Sequence, residues 1–389
     1  MKKPVSVLPY GRQSIDNDDV AFVVRTLKSP FLTQGPAVEA FEHALCAYTG
    51  AKYCVAVANG TAALHLAVAS LGLKKGSSGV TSPITFLASA NALVYNGIKP
   101  LFADVDAKTA NMSPEALQCV IKKDTRLIIP VHFAGCPAEM KRIDAIARRR
   151  KCYVIEDAAH AIGSSYPDGG RVGNCAYSDM TIFSFHPVKM ITTGEGGAIM
   201  TNDKKFYDRL RSLRSHGVIR DPRVMKKNPG PWYYEMRELG FNYRLTDMQA
   251  ALGLSQLKKI NQFIARRQQI VSRYNAAFRQ RSWIRSVSID DKSHAYHLYV
   301  IRIDFRKLKI SRKNFMGRLA RSGVGTQVHY IPVYRHPFYS RNFKVSYAWF
   351  SQAEKYYEEC LSLPLFPGLK DSDVKRVISA VLQCGQDIL

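Results

Sequence analysis

The chain from residue 53 to residue 157 is dominated by one pattern, in which short apolar segments alternate with amphipathic ones. Residues 53–58 are predicted to form a buried strand, residues 62–73 the following helix, and residues 126–131 and 152–157 further strands. Repeated strand–helix units favour a mainly parallel sheet covered by helices on both faces. We therefore predict an α/β fold in which ligands bind at the carboxyl ends of the strands.

The last third of the chain has a different pattern. We predict strands at residues 297–303 and 325–330 and helices at 311–321, 349–360 and 371–384, which together make a smaller α+β unit. Thr246 and Gln249 have the spacing of a capping box, which would open a long helix reaching residue 278. We predict two domains: residues 1–255, an N-terminal arm and a large domain, and residues 256–389, a linker helix and a small domain.

The charge of the chain is unusual, because 56 Lys and Arg residues stand against 31 Asp and Glu residues, a net charge of +25. Such a balance favours anionic partners. The basic residues are spread out and no DNA- or RNA-recognition motif accompanies them, so nucleic acid is not the expected partner. The eight cysteines are scattered without metal-ligand spacing, which predicts no metal and a reduced, cytoplasmic protein. No apolar run is long enough for a membrane span, so no membrane partner is expected.

A second constraint is Lys189, which follows a short apolar strand and precedes the glycine-rich turn of Gly194 to Gly197. A lysine becomes a nucleophile when burial or its neighbours remove its proton, and Schiff-base chemistry with pyridoxal phosphate commonly uses this property. An exposed loop lysine would give the same pattern. From this stretch alone both interpretations remain open.

Two other positions have the chemistry of a cofactor site. Asp157 ends a predicted strand, where its carboxylate could pair with the protonated nitrogen of a pyridine ring or simply cap a helix. The turn of Asn59, Gly60 and Thr61 lies between a strand and a helix N-terminus, whose free N–H groups suit an anion. Such turns are common in α/β proteins.

Together these segments resemble the sugar aminotransferases of the DegT/DnrJ/EryC1/StrS group. The similarity is a series in the family's order, from Leu-Thr-Gln-Gly-Pro at 32–36 to Leu-Ser-Leu-Pro-Leu at 361–365, and it covers nearly the whole chain. It implies the aspartate-aminotransferase fold (fold type I), with a large domain that binds pyridoxal 5'-phosphate and a smaller α+β C-terminal domain.

The resemblance implies catalytic roles for individual residues. Lys189 matches the lysine that forms a Schiff base with the cofactor and then moves a proton between cofactor and substrate carbon. Asp157 matches the carboxylate on the pyridine nitrogen, and His160 lies where the family has Gln or His near the 3-oxygen of the cofactor. Phe86 matches the aromatic residue that stacks on the cofactor ring.

The cofactor phosphate has its own set of matching residues. Gly60, Thr61 and Ala62 match the phosphate-binding turn, and Ser184 matches a hydroxyl that contacts the same group. Asn242 matches an asparagine that reaches the phosphate from the neighbouring subunit. The resemblance therefore implies a homodimer with shared sites.

The substrate residues follow from the same resemblance. Within the group, the chain is most similar to the enzymes of pseudaminic acid synthesis, which transfer the amine of L-glutamate to C4 of a UDP-linked 4-keto-6-deoxy-N-acetyl sugar. Amination of a different sugar, of the GDP-perosamine or UDP-4-amino-4-deoxy-L-arabinose type, is the alternative, and a non-catalytic cofactor-bound regulator with a basic nucleic-acid-binding face is the alternative of another class. The implied substrate contacts are Tyr10, Phe31, Leu32, Thr33, His329, Tyr330, Ile331 and Pro332.

Overall fold

The computed structural model describes residues 7–287 and 293–386. Its helices are α1 (Asn17–Leu27), α2 (Pro36–Thr49), α3 (Gly60–Ser70), α4 (Ala88–Tyr95), α5 (Pro114–Val120), α6 (Met140–Arg150), α7 (Lys204–Arg214), α8 (Asp247–Lys258), α9 (Ile260–Phe278), α10 (Arg312–Arg321), α11 (Pro337–Asn342), α12 (Ser351–Glu359) and α13 (Asp371–Gln386). Its strands are β1 (Tyr53–Val57), β2 (Ser78–Thr81), β3 (Lys99–Phe102), β4 (Thr125–Ile129), β5 (Tyr153–Asp157), β6 (Met180–Ser184), β7 (Gly197–Thr201), β8 (Val218–Ile219), β9 (Glu235–Met236), β10 (Ile284–Ser286), β11 (Tyr299–Ile303) and β12 (Cys360–Leu363).

The central sheet has seven strands in the order β1-β7-β6-β5-β4-β2-β3. Strands β3, β2, β4, β5 and β6 pair in parallel, whereas β7 pairs antiparallel with both β6 and β1. This arrangement confirms the α/β prediction. It also places the carboxyl ends of β1, β2, β5 and β6 at one edge of the sheet.

Successive side chains in the strands face opposite sides of the sheet and enter separate cores. Ile128 and Val154 pack in a cluster with Phe41 and Ile143, from α2 and α6. Leu127 and Ile155 pack in a second cluster, which includes apolar residues of α3 and α4. Because both faces are covered, most strand residues are apolar, as the sequence pattern suggested.

Side chains fix the starts of several helices. The predicted capping box of α8 forms, because Thr246 accepts the N–H of Gln249 and the Gln249 side chain accepts the N–H of Thr246. The next residue, Asp247, caps a different helix: its carboxylate accepts the N–H groups of Gly35 at 2.7 Å and Ala37 at 2.9 Å at the start of α2. One short segment thus joins the N-terminal arm to the large domain.

The prediction of one continuous helix to residue 278 is wrong, because the helix is interrupted at Lys259. α8 packs against α1 and α2, and Ile260 still belongs to the first core, whereas Ile270 and Phe278 belong to the core of the C-terminal unit. The interruption therefore lies within the part of the chain that packs on the first core, and α9 itself passes from the first core at Phe263 to the second at Ile270. The division at residues 255 and 256 remains a prediction.

The C-terminal unit is built on the antiparallel sheet β10-β11-β12, with α9, α10 and α13 packed around it. The strand predicted at residues 325–330 does not form. Only single bridges occur there, between Gln327 and Ser362 and between Val324 and Leu8, because this segment bends to bring His329 and Tyr330 into the cavity described below. No helix in the described part of the chain is long and apolar enough to span a bilayer.

Candidate active site

A cavity of about 1070 Å³ opens at the carboxyl ends of β1, β2, β5 and β6. The predicted site residues that line it are Tyr10, Gly60, Thr61, Ala62, Phe86, Asp157, His160, Ser184, Lys189, His329, Tyr330 and Ile331. The remaining predicted residues, Phe31, Leu32, Thr33, Asn242 and Pro332, do not line the cavity. The structure therefore brings together residues that are far apart in the sequence, from both the large domain and the C-terminal unit.

Lys189 lies on a tight turn after β6, where its N–H donates to the carbonyl of His186 at 2.9 Å. Burial lowers the pKa of the Lys189 amine from 10.5 to about 8, although the nearby Asp157 carboxylate acts in the opposite direction. Desolvation disfavours the charged form of an amine. A substantial fraction of Lys189 is therefore neutral, and nucleophilic, near physiological pH.

Asp157 is the last residue of β5, and its carboxylate is held in place by two donors. Ser89 donates its hydroxyl to Oδ2 at 2.6 Å, and the N–H of Ala159 donates to Oδ1 at 3.1 Å. Ser89 is in turn hydrogen-bonded to Thr85 at 2.9 Å. Our sequence analysis missed Ser89, which lies in the first turn of α4, and Thr85, which lies in the segment before that helix.

His160 is buried and held in one tautomer. The N–H of Ala134 donates to Nδ1 at 3.3 Å, so the proton of the neutral ring is on Nε2, which lies 3.2 Å from the hydroxyl of Tyr330. Burial first, and then the charge of Lys189, hold the pKa of His160 well below its usual value. Burial raises the pKa of Tyr330. Nε2–H of His160 therefore donates to Tyr330, whose own O–H proton remains available for a ligand.

The N-terminus of α3 forms the wall opposite the C-terminal unit. The Asn59 side chain caps this helix by accepting the N–H of Ala62 at 2.8 Å. A Cβ atom added to Gly60 would lie 2.8 Å from Cβ of Ser184, so only glycine lets the helix start approach that hydroxyl so closely. Nearby, Phe86 is 60% exposed, an unusual fraction for a phenyl ring inside a cavity, which leaves its surface free for another ring.

Asn242 is exposed on a short extended segment next to α7, in a bridge with Ser215. Its two neighbours face the opposite way: the rings of Phe241 and Tyr243 lie 5.0 Å apart, and the Tyr243 hydroxyl is 3.2 Å from Nδ1 of His65. Tyr243 and His65 both line the cavity and were missed by the sequence analysis. The alternation of an extended backbone, applied to residues 241–243, would have indicated that Asn242 and Tyr243 serve different surfaces.

These groups fit pyridoxal 5'-phosphate. Lys189 offers a neutral amine for its aldehyde, and Asp157 a fixed carboxylate for its ring nitrogen. The start of α3 and the Ser184 hydroxyl suit its phosphate, and Phe86 offers a free ring surface.

Comparison with known proteins agrees with this site. Residues 13–382 match the model of the DegT/DnrJ/EryC1/StrS aminotransferase family. The chain is 39% identical over 378 residues to the spore coat polysaccharide biosynthesis protein SpsC of Bacillus subtilis, covering 96% of each protein.

The fold is also that of solved sugar aminotransferases. PseC of Helicobacter pylori, an aminotransferase involved in the biosynthesis of pseudaminic acid, superposes with a TM-score of 0.92 at 29% identity, covering 98% of this chain and 100% of PseC. The putative sugar aminotransferase Spr1654 of Streptococcus pneumoniae, in its PLP form, gives 0.90 at 27% identity, with coverage of 98% and 100%, and it has also been solved in a PMP form. The chain belongs to the DegT/DnrJ/EryC1/StrS family and is a PLP-dependent sugar aminotransferase.

Proposed function

We propose that this enzyme transfers the amine of L-glutamate to C4 of a UDP-linked 4-keto-6-deoxy-N-acetyl sugar, UDP-2-acetamido-2,6-dideoxy-beta-L-arabino-hex-4-ulose, of pseudaminic acid biosynthesis. The observation that carries the proposal is that one large cavity contains both a Lys189 amine of lowered pKa and the fixed carboxylate of Asp157 near it. The similarity to PseC over nearly the whole chain supports the choice of sugar.

The residues of the chain divide the work of the reaction. Pyridoxal phosphate, when bound, supplies the carbonyl group that takes up the amine and the ring that withdraws electrons. Lys189 binds that group and then moves protons at the reacting carbon, for which a pKa near the working pH is best. Asp157 stabilises positive charge at the ring nitrogen. The hydroxyl of Ser89 orients the Asp157 carboxylate.

The size of the cavity supports a large second substrate. At about 1070 Å³ it exceeds the roughly 300–1,000 Å³ of pockets for drug-sized ligands. Its lining includes Tyr10, Tyr95 and His336, which offer ring surfaces and hydrogen-bonding groups, and the aliphatic Ile331. Such a wall suits a nucleotide-linked sugar.

The charge of the cavity supports a homodimer with shared sites, which we propose to be cytoplasmic because its scattered cysteines suit a reducing compartment. Lys189 is the only lysine or arginine among the described residues that line the cavity, although the cofactor, glutamate and the nucleotide are all anionic. We propose that a second copy supplies the missing donors, with Asn242 directed at the phosphate. Phe31 and Leu32, which are 53% and 43% exposed outside their own cavity, would contact the sugar of the partner's site together with Thr33. Pro332 would hold the adjoining Ile331 in place.

The test is to give the enzyme glutamate with a panel of UDP- and GDP-linked 4-keto sugars and to identify each amino product by mass and NMR. We expect the highest kcat/KM for the UDP-linked N-acetyl sugar. Preference for a GDP-linked or a pentose substrate would replace the proposed sugar. Salt-sensitive DNA binding without any glutamate-dependent amination would instead support a regulator.

A further inference from the structure

The basic residues of the large domain are concentrated at the edge of the central sheet that lies opposite the cavity. Parallel strands begin at this edge, and the antiparallel β7 ends there. We define the basic edge as the exposed cations at these strand ends: Lys52, Lys74, Lys75, Lys99, Lys122, Lys123, Arg126, Arg148, Arg149, Arg150, Lys151, Lys204 and Lys205.

The register of the strands shows that these strand ends lie side by side along the same edge of the sheet. Ser78 of β2 pairs with Lys99 of β3 and with Thr125 of β4, and Leu127 of β4 pairs with Tyr153 of β5. Across the rest of the sheet, Thr201 at the end of β7 pairs with the first residues of β1 and β6. The seven strands, at a spacing of about 4.8 Å, make a front roughly 29 Å wide.

Most of the charge on this front is not neutralised within the chain. Among the described residues, Arg148 and Lys204 are the members of the basic edge that form ion pairs, each with an aspartate on its own helix. Asp203 and Asp179 accept backbone N–H groups, from Lys205 and Val154 respectively, but both still add negative charge to this front. Asp124 adds an opposing charge. The edge therefore has a large excess of positive charge that the active site does not use.

We propose that the basic edge docks the enzyme reversibly on an anionic lipid surface, which replaces the expectation of no membrane partner because surface docking needs no spanning helix. The cations form a broad front rather than a single stripe, and most are lysines, whose point charges suit a diffuse field of lipid phosphates. Recognition of a nucleic acid relies more on bidentate arginines and on aromatic rings that stack on bases. Since the cavity opens at the other edge, docking leaves the site accessible to dissolved substrates. The proposal is independent of which sugar the enzyme aminates.

The experiment measures cosedimentation of the full-length holoenzyme with two kinds of vesicle, pure phosphatidylcholine and phosphatidylcholine in which phosphatidylglycerol replaces part of the lipid. The edge variant carries Lys122→Gln, Lys123→Gln, Arg149→Gln and Arg150→Gln. The matched control carries Lys309→Gln, Lys313→Gln, Arg321→Gln and Lys375→Gln, which remove the same charge from exposed positions of the C-terminal unit.

We expect the wild type and the control to bind the anionic vesicles and to dissociate from them at high salt. Neither protein should bind vesicles of pure phosphatidylcholine. The edge variant should bind the anionic vesicles roughly 700-fold more weakly, since each of the four basic residues contributes about 1 kcal/mol near such a surface and about 1.4 kcal/mol is a factor of ten in affinity. Melting temperature and aminotransferase activity should be the same in all three proteins. Absence of vesicle binding by the wild type, or an equal loss in the control, overturns the proposal. Edge-dependent binding to duplex DNA without vesicle binding would overturn it in favour of a nucleic acid.

Discussion

At the scale of single residues, the site depends on how burial changes proton affinity. The pKa of Lys189 falls to about 8, and that of His160 falls well below its usual value, in both cases mainly because the protein removes water from the charged form. The result is a nucleophilic amine beside a neutral imidazole. Neither state could be derived from the sequence, which shows the residues but not their burial.

Replacing Lys189 by alanine should abolish transamination while the protein stays folded, because the side chain faces a cavity rather than a core. The variant should also fail to retain pyridoxal phosphate after reduction with borohydride, which traps lysine-bound cofactor in the wild type. Mass spectrometry of the reduced protein makes the measurement. A Lys189→Ala enzyme with full activity would contradict the assignment.

The pH dependence of cofactor capture should follow the Lys189 amine. Because its pKa is lowered from 10.5 to about 8, the neutral amine predominates above about pH 8 and the ammonium below it. The rate at which apoenzyme captures pyridoxal phosphate should therefore rise with pH and level off above 8. Stopped-flow absorbance across pH 6 to 10 measures it. A rate still rising steeply at the highest pH would indicate an ordinary lysine.

Ser89→Ala should lower kcat by about 10-fold or more, since a hydrogen bond to a charged group contributes about 1.5–3 kcal/mol. The substitution removes the 2.6 Å bond that orients the Asp157 carboxylate. Steady-state kinetics and the pH titration of the cofactor absorbance measure the effect. Thr85→Ala, which removes the next member of the chain, is the control and should change both quantities less.

At the scale of elements, the strand ends and helix starts were predictable where local chemistry fixes them. Helix α8 begins where the sequence analysis placed it, because Thr246 caps it locally. The break at Lys259 and the bend after Val324 were not predictable. The residues on both sides of Lys259 pack in the first core, and residues 327–330 contact Ser362 and the cavity. These contacts join residues distant in sequence, which no local pattern records.

The start of α3 gives an element-scale prediction. In Gly60→Ala the new methyl group would lie 2.8 Å from Cβ of Ser184, so the helix start must move away from β6. We expect a loss of about 1–3 kcal/mol of stability and weaker binding of cofactor. Thermal unfolding with and without pyridoxal phosphate tests both. Gly317→Ala in α10 is the control: its Cβ would lie 3.8 Å from the nearest atom, and stability should be unchanged or slightly higher.

At the scale of the whole molecule, the resemblance seen in the sequence predicted the family, the cofactor and twelve of the residues that line the cavity. What it could not supply was the side of each segment that faces the cavity. His65 and Tyr243 belong to the wall through tertiary packing alone, and the buried Ser89 supports the wall from behind through Asp157. Phe31 and Asn242 are placed outside the wall.

Shared sites can be tested by mixing two impaired variants. In a hybrid dimer of Lys189→Ala and Asn242→Ala chains, one site would combine the intact lysine of one chain with the intact asparagine of the other. We expect activity to reappear after the two proteins are unfolded together and refolded, at up to about a quarter of the wild-type value for random pairing. Each variant refolded alone is the control. A mixture that shows only the sum of these controls would place both residues in one chain's site.

Glu156 and Asp157 are neighbouring carboxylates on β5 with opposite surroundings. Glu156 faces the packed side, where Tyr166 donates to it at 2.6 Å and His132 lies 2.8 Å away, whereas Asp157 lines the cavity. Their different surroundings arise because successive residues of a strand face opposite sides of the sheet. Losing a single residue within β5 would turn the structural acid toward the reaction and bury the catalytic one, so this strand can accept changes of side chain more readily than a change of length.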